Sequence, residues 1–464
     1  MQSITKAKHE IDMTTGRLST QLLAFALPFM FTGIIQLLFN AADMVVVGSF
    51  VSETALAAVG STTSLTHLLV NLFIGLSVGS GVAMSRSYGA RDKEYGAKVL
   101  HTSIFLGLIA GVFIAILGVI VARPMLTLMK SPDNVIDMSV EYLTIFFLGS
   151  PFNLVYNFGS AVLRSTGDTK RPLIFLTIAG VMNVIVNLIT VICFNMGVAG
   201  VAYATITSQA VSAILVMITL IKNQGFIRFS FKEFKIDKQA LGEICRLGVP
   251  SGIQSSLFSL SNVIIQSTIN SFGDQVMAAN SAAQNLEGFL FTAGSAITNT
   301  LLTAVGQNSG AKNYQRIKKS IFYCLIYVTI LGIAFGWLEI LLHKPLVGLY
   351  VQDPVSIDYA LKRMLIMCST YFFCGIMECF TFSLRGLGHS FKPMIIVLIG
   401  TCAFRIFWIF TIFPLNPIPT SIYLSYPISW AITALVNMAV LIFVMKKVKQ
   451  AYTNTPIEQI AQNQ

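Results

Sequence analysis

Asp43 lies in NAADMVVVGS (Asn40 to Ser49), at the end of an apolar run that begins near residue 21. It follows Asn40 by three residues, and Thr32, Gln36 and Asn40 recur at every fourth position. That spacing puts all four on one helical face. Asn183 and Asn187 stand one turn apart in a second run, and Asn153 and Asn157 in a third. A bundle that closed these faces together would form a wet polar pocket around one carboxylate, able to carry a proton or a small cation. An Asp at the centre of a membrane helix costs roughly 2.5–3.5 kcal/mol, so its retention there points to function. The competing reading is that Asp43 sits near the outer water interface and faces solvent.

The second half of the chain offers acids at other places. Glu287 lies in AAQNLEGF, one turn after Gln284, and Glu378 in CGIMECF. Either could attract a cationic solute or bind an ion, and either could be neutralised by Arg405, the only Arg deep in the eleventh run. Ile265 stands where Asp43 would be repeated, beside a polar stripe of Gln254, Asn262, Gln266 and Asn270. His67 is expected to be packed and hydrogen-bonded. Gly75, Gly79 and Gly81 have the small-residue spacing that lets helices approach closely. They are not a nucleotide loop, since no strand precedes them and no Gly-Lys-Ser or Gly-Lys-Thr follows. Without an ATP-binding domain, work across the membrane must come from an ion gradient.

The elements that hold these residues follow from composition. Of 464 residues 55% are hydrophobic and 11% charged, and mean hydropathy is +0.73, which makes this an integral membrane protein. Twelve apolar runs are long enough to cross a bilayer: 21–47, 54–82, 99–122, 139–163, 172–195, 198–221, 247–271, 276–305, 320–343, 359–384, 393–413 and 420–445. They are longer than barrel strands and apolar on all sides, so the fold class is all-α, a polytopic membrane protein. The first twenty residues carry both charge signs and no cleavable leader is visible. The seven cysteines mostly lie in or beside runs and read as packing residues.

The net charge of +11 does not point to nucleic acid, because the basic residues gather in every second loop. The outer loops hold Arg123, Lys130 and Lys344, and Lys362, Arg363 and Arg405 fall within the tenth and eleventh runs. The positive-inside rule places both termini in the cytoplasm. The domains expected are a cytoplasmic segment 1–20, a lobe 21–221, a cytoplasmic loop 222–246, a lobe 247–445 and a cytoplasmic tail 446–464.

The lobes repeat each other. LRSTGDTKRP (Leu163 to Pro172) aligns with LRGLGHSFKP (Leu384 to Pro393), and the same offset aligns GARDKEYGAK (Gly89 to Lys98) with GAKNYQRIKK (Gly310 to Lys319). Several matches at one offset imply duplication of a six-helix unit. Six is even, so the copies insert alike and their pseudo-two-fold axis should run along the membrane normal.

With these loops, Pro28 ahead of NAADMVVVG, GVAGVAYAT (Gly197 to Thr205) and GVPSG (Gly248 to Gly252) in order, the chain resembles the multidrug and toxic compound extrusion (MATE) family of cation-coupled efflux transporters. The resemblance implies two six-helix lobes that export amphipathic, often cationic, small molecules in exchange for H⁺ or Na⁺ by alternating access. Carried over by position, it makes Gln36, Asp43, Asn157, Asn183, Asn187 and Thr205 the coupling-ion cluster, with Asp43 the metal ligand if the ion is Na⁺. Some members have a second aspartate where Asn187 stands, so this chain carries one carboxylate fewer. Glu287, Glu378 and Arg405 are candidates for substrate or ion binding in the second lobe, and Pro28 and Pro250 for hinges. A monomer in the cell membrane, with no cofactor beyond the coupling ion and no nucleic acid partner, is expected. The alternatives are a flippase for a lipid-linked precursor, which would line its cleft with several Arg or Lys, and a membrane-embedded lipid transferase, which would need clustered Asp pairs or a Cys and His constellation.

Overall fold

The computed structural model describes residues 10–128, 132–223 and 225–453. Among these residues every regular element is a helix. The first repeat runs through α1 (Leu18–Phe50), α2 (Glu53–Ala90), α3 (Lys93–Leu128), α4 (Asp133–Leu148), α5 (Ser150–Ser165), α6 (Lys170–Leu188) and α7 (Gly197–Lys222). The second contains α8 (Lys238–Asn270), α9 (Asp274–Gly310), α10 (Tyr314–Leu341), the short α11 (His343–Val347), α12 (Pro354–Gly386), α13 (Phe391–Val397), α14 (Phe404–Thr411) and α15 (Pro419–Thr453). Two π-helical turns, Ile189–Cys193 after α6 and Leu398–Ala403 between α13 and α14, interrupt the regular winding.

Ten helical stretches among the described residues are long and apolar enough to cross a membrane. The expected fourth span, 139–163, is two helices bent by 46°. Pro151 explains the break, because it lacks an N–H and crowds the preceding turn, and Gly149 caps α4 at the corner. The expected seventh span is α8, whose 33 residues suffice in length. Its Ser, Gln and Asn content keeps it out of the apolar set, so the twelve expected spans become ten plain helices, one bent pair and one polar helix. Lys130 and the side chain of His67 lie outside the described residues.

Local chemistry sets the helix ends. Ser52 Oγ accepts from Ala55 N at 3.0 Å to open α2, Asn313 Oδ1 from Arg316 N at 3.1 Å to open α10, and Asp353 Oδ2 from Ser356 N at 3.0 Å to open α12. The duplication is visible in the backbone. Arg91 and Lys312, at one repeat offset, both adopt the left-handed region, at φ 60° and 53°. Gly167 and Gly388 do the same at 97° and 89°. Both glycine turns close with the N–H after the glycine reaching back to a leucine carbonyl, Asp168 to Leu163 at 3.1 Å and His389 to Leu384 at 2.9 Å.

The chain divides into two compact units at boundaries other than those expected. One comprises residues 31–256 with the segment ending at Asp12, and the other residues 13–30 with the chain from Leu257 on. The first part of α1 thus belongs with the second repeat, and the first part of α8 with the first repeat. In the unit 31–256 one core gathers Ile114, Leu126, Phe147, Leu154 and Phe158 from α3, α4 and α5. Gly75 and Gly79 of α2 meet the backbone of Gly252 and Gly248 of α8, so a Cβ at any of the four would collide. In the other unit Ala283, Leu290, Met364 and Cys368 anchor α9 to α12. Large apolar side chains remain exposed along the long helices, among them Phe31, Val45, Ile120 and Phe443, which is the surface a bilayer covers.

Candidate functional site

Asp43 of α1 and the Asn187 amide of α6 come together. The Asn187 side chain is fully buried and its Nδ2 donates to Asp43 Oδ1 at 2.9 Å. One turn earlier Asn183 is buried as well. The side-chain oxygens of Asn183 and Asn187 are both buried with no hydrogen-bond partner among the described residues. Buried amide oxygens are normally satisfied, so the Asn187 oxygen next to a carboxylate, with the Asn183 oxygen one turn back on the same helix, marks a place suited to a donor or a cation. Asp43 itself is half-buried.

The packing around it fixes α1 against α6. Val46 and Val47, one turn past Asp43, enter an apolar cluster with Val59, Val191, Val198 and Val201. Gly180 of α6 leaves room for the ring of Phe39, against which any Cβ would collide. Tyr142 of α4 packs on the same cluster and lies close enough to Asp43 for the two to interact electrostatically. Nothing in the spacing of polar residues singled out this tyrosine.

The other expected members of the cluster are not hydrogen-bonded to Asp43. Gln36 is exposed. Asn157 Nδ2 donates to Asn153, at 2.9 Å to its carbonyl and 2.6 Å to its Oδ1. Thr205 Oγ1 donates to the Val201 carbonyl at 3.1 Å, within its own helix. The structure thus forms a pair, Asp43 with Asn187, and leaves Gln36, Asn157 and Thr205 outside it. Helices α1 and α8 run unbroken through Pro28 and Pro250.

In the other unit the charges pair differently from the expected pattern. Glu287 is neutralised by Arg363, not by Arg405. Arg363 Nε and Nη2 donate to the two Glu287 oxygens at 2.8 and 2.7 Å, and its Nη1 donates to Asn280 Oδ1 at 2.6 Å. The fork is buried and matches the carboxylate plane. Asn280 donates onward to Gln266 of α8 at 3.0 Å. The sequence placed Arg363 in the tenth span without assigning it a partner. Arg363 and Glu287 are far apart in the chain, and only helix packing makes them neighbours. This pairing also cancels part of the expected acidic balance.

Glu378 lines a small cleft with Ser295, Gly332, Tyr371 and Cys374. Its Oε2 accepts from Thr298 Oγ1 at 3.3 Å. Glu339 of α10, a further acid in the apolar region, accepts from Cys368 Sγ at 3.4 Å. Arg405 pairs with neither Glu287 nor Glu378. It is 2% exposed, with Nε donating to Ser429 Oγ at 3.0 Å and the guanidinium 4.0 Å from the Tyr426 ring centroid.

The MatE family model matches residues 28–189 and again 250–411, one copy in each repeat. The chain belongs to the MatE family. It is similar to the probable multidrug resistance proteins YoeA and YpnP of Bacillus subtilis (strain 168). With YoeA it is 27% identical over 436 residues, covering 91% of this chain and 93% of YoeA. With YpnP it is 28% identical over 391 residues, 84% and 86% of the two chains. The fold is that of a solved MATE family transporter of the MOP superfamily in its outward-facing conformation, with a TM-score of 0.89 at 20% identity over 96% of this chain and all of that one. This MatE protein is therefore a multi-pass membrane transporter of small molecules, not an enzyme.

Proposed function

We propose that the protein is a secondary antiporter that exports amphipathic, cationic small molecules across the cell membrane in exchange for H⁺ or Na⁺. Asp43 is its coupling-ion site. Asn187 and Asn183 complete the site, and both termini lie in the cytoplasm of a protein that works as a monomer. The reading is carried by one observation, the Asp43–Asn187 hydrogen bond, with the buried oxygens of Asn187 and, one turn back, Asn183 lacking a donor among the described residues.

A cation entering beside Asp43 gains oxygens that are otherwise unsatisfied, and a proton on Asp43 supplies a donor to one of them. Either ion binds this arrangement better than a rearranged one, so ion and cargo shift a conformational equilibrium in opposite directions. Pro28 in α1 and Pro250 in α8 each leave one carbonyl without its helical donor, and bending is easiest there. Glu378 in its cleft is the candidate contact for a cationic cargo. Each pH unit supplies about 1.4 kcal/mol per proton, and each 100 mV roughly 2.3 kcal/mol per charge.

Reconstituted protein is given ethidium with a pH gradient or a Na⁺ gradient imposed separately. Efflux that follows one gradient and collapses without it supports antiport and identifies the ion. Ethidium movement that ignores both gradients refutes the proposal.

A further inference from the structure

The segment between α7 and α8 is packed against the flank of α3, all within the unit 31–256. Phe226, Ile227 and Phe229 are buried in a core of that unit. The Phe229 N–H donates to the Leu220 carbonyl of α7 at 3.0 Å, and the Ser230 N–H donates to His101 Nε2 of α3 at 3.0 Å. His101 stacks on Phe229 with ring centroids 5.0 Å apart, Phe234 meets Phe105 at 5.1 Å, and the Asp237 N–H donates to Thr102 Oγ1 at 3.0 Å. His101 stands about 12 Å along α3 from its start at Lys93, and Leu108, the first large apolar side chain exposed on that helix, is about 10 Å further on. The segment is thus held beside α3 just where the lipid-facing surface of that helix begins.

Two kinds of side chain stay outside this packing. Phe231, in the 3₁₀ turn Phe231–Glu233, is 71% exposed although its ring meets that of Phe229 edge-on, and Ile236 is 39% exposed. Around them Arg228, Lys232, Lys235 and Lys238 are exposed, and none of the four forms an ion pair among the described residues. Of the nearby acids, Asp237 is half-buried and its Oδ1 accepts from the Ala240 N–H at 2.9 Å at the start of α8, which leaves Glu233 as the exposed one. We propose that residues 228–238 form an interfacial foot that binds the headgroups of anionic phospholipids. Phe231 and Ile236 enter the boundary between headgroups and acyl chains, and the four cations reach the phosphates above it. The occupant is a bilayer surface, because a soluble anion would leave Phe231 and Ile236 in water. It is an anionic one, because a zwitterionic surface offers the four cations no net charge. The foot makes the segment that joins the two repeats responsive to the lipid charge of its leaflet, whichever ion and cargo the protein carries.

The test is hydrogen exchange at amides 231–236 of the full chain, held in nanodiscs of phosphatidylcholine alone or of phosphatidylcholine with phosphatidylglycerol. Exchange should slow about tenfold when phosphatidylglycerol is present. Most of that slowing should disappear in about 1 M NaCl, where the screening length falls to roughly 3 Å. The double variant Lys232→Gln/Lys235→Gln should lose most of it as well, and both lysines are exposed, so the packing on α3 is spared. Phe231→Ser should weaken the slowing with every charge in place. Inorganic phosphate added to the phosphatidylcholine nanodiscs should leave exchange unchanged. Equal exchange in the two lipid compositions, slowing by dissolved phosphate as large as that by phosphatidylglycerol, or full slowing retained in either variant would each overturn the foot.

Discussion

Replacing Arg363 by Met should be among the most damaging single changes in the unit that contains it. The substitution removes two charged hydrogen bonds to Glu287 and one to Asn280. It leaves a buried carboxylate without a counter-charge, a change that costs about 3–5 kcal/mol. The double variant Glu287→Met/Arg363→Met removes both charges and keeps the volume filled. Its remaining penalty is the stranded Asn280 oxygen, about 1–3 kcal/mol. The Asn280 penalty is common to both, so the double variant should be more stable than the single Arg363→Met variant by about 3–5 kcal/mol. Denaturation midpoints of purified protein in one detergent, compared across the wild type, both single variants and the double, give the coupling directly. If the two single costs simply add in the double variant, the pair is not a buried mutual neutralisation and the account of Glu287 is wrong.

Other consequences can be checked separately. Gly180→Leu would force the Phe39 ring out of its place on α6. It should lower thermal stability and impair transport, since Asp43 is one turn further along α1; unchanged melting and efflux would contradict the packing described. Asn187→Ala should weaken coupling-ion affinity about tenfold or more, read as a shift in the ion concentration that drives efflux, with no shift counting against the Asp43–Asn187 site. On the N-terminal segment, burial chiefly pushes the Glu10 carboxyl up from 4.5 to about 6, with Asp168 nearby adding to the effect. The docked segment then binds more protons than a released one between those values. Its docking is strongest below about pH 4.5 and weakens as pH rises through about 6. Hydrogen exchange at residues 10–12 should be slower at pH 5 than at pH 7.5 after correction for intrinsic rates, and Glu10→Gln should remove the difference; equal protection at both pH values in the wild type would refute it.

Much of the architecture was legible because it rests on local signals. Apolar runs of spanning length predict helices whatever their neighbours, and matched loops predict the duplication that reappears in the left-handed turns at Arg91, Lys312, Gly167 and Gly388. The bend at Gly149 was announced by Pro151, which an apolar count alone passes over. The polar face of α1 drew attention to Asp43 and α6 periodicity to Asn187, and the hydrogen bond between them joins two residues that both lie on regular helices. What the sequence left open depends on which helices are neighbours. Arg363 finds Glu287 across α9 and α12, Tyr142 reaches the Asp43 region from α4, and Gln36, Asn157 and Thr205 share a unit with Asp43 without bonding it. The unit boundaries within α1 and α8 are likewise a matter of packing, with no change in composition to mark them.

The central claim is that Asp43 carries the coupling ion, and Asp43→Asn tests it without adding bulk. In liposomes loaded with ethidium, this variant should bind the dye and let it equilibrate. An imposed gradient of the ion that drives the wild type should no longer move the dye uphill. Uphill ethidium transport by Asp43→Asn at the wild-type ion dependence would contradict the account.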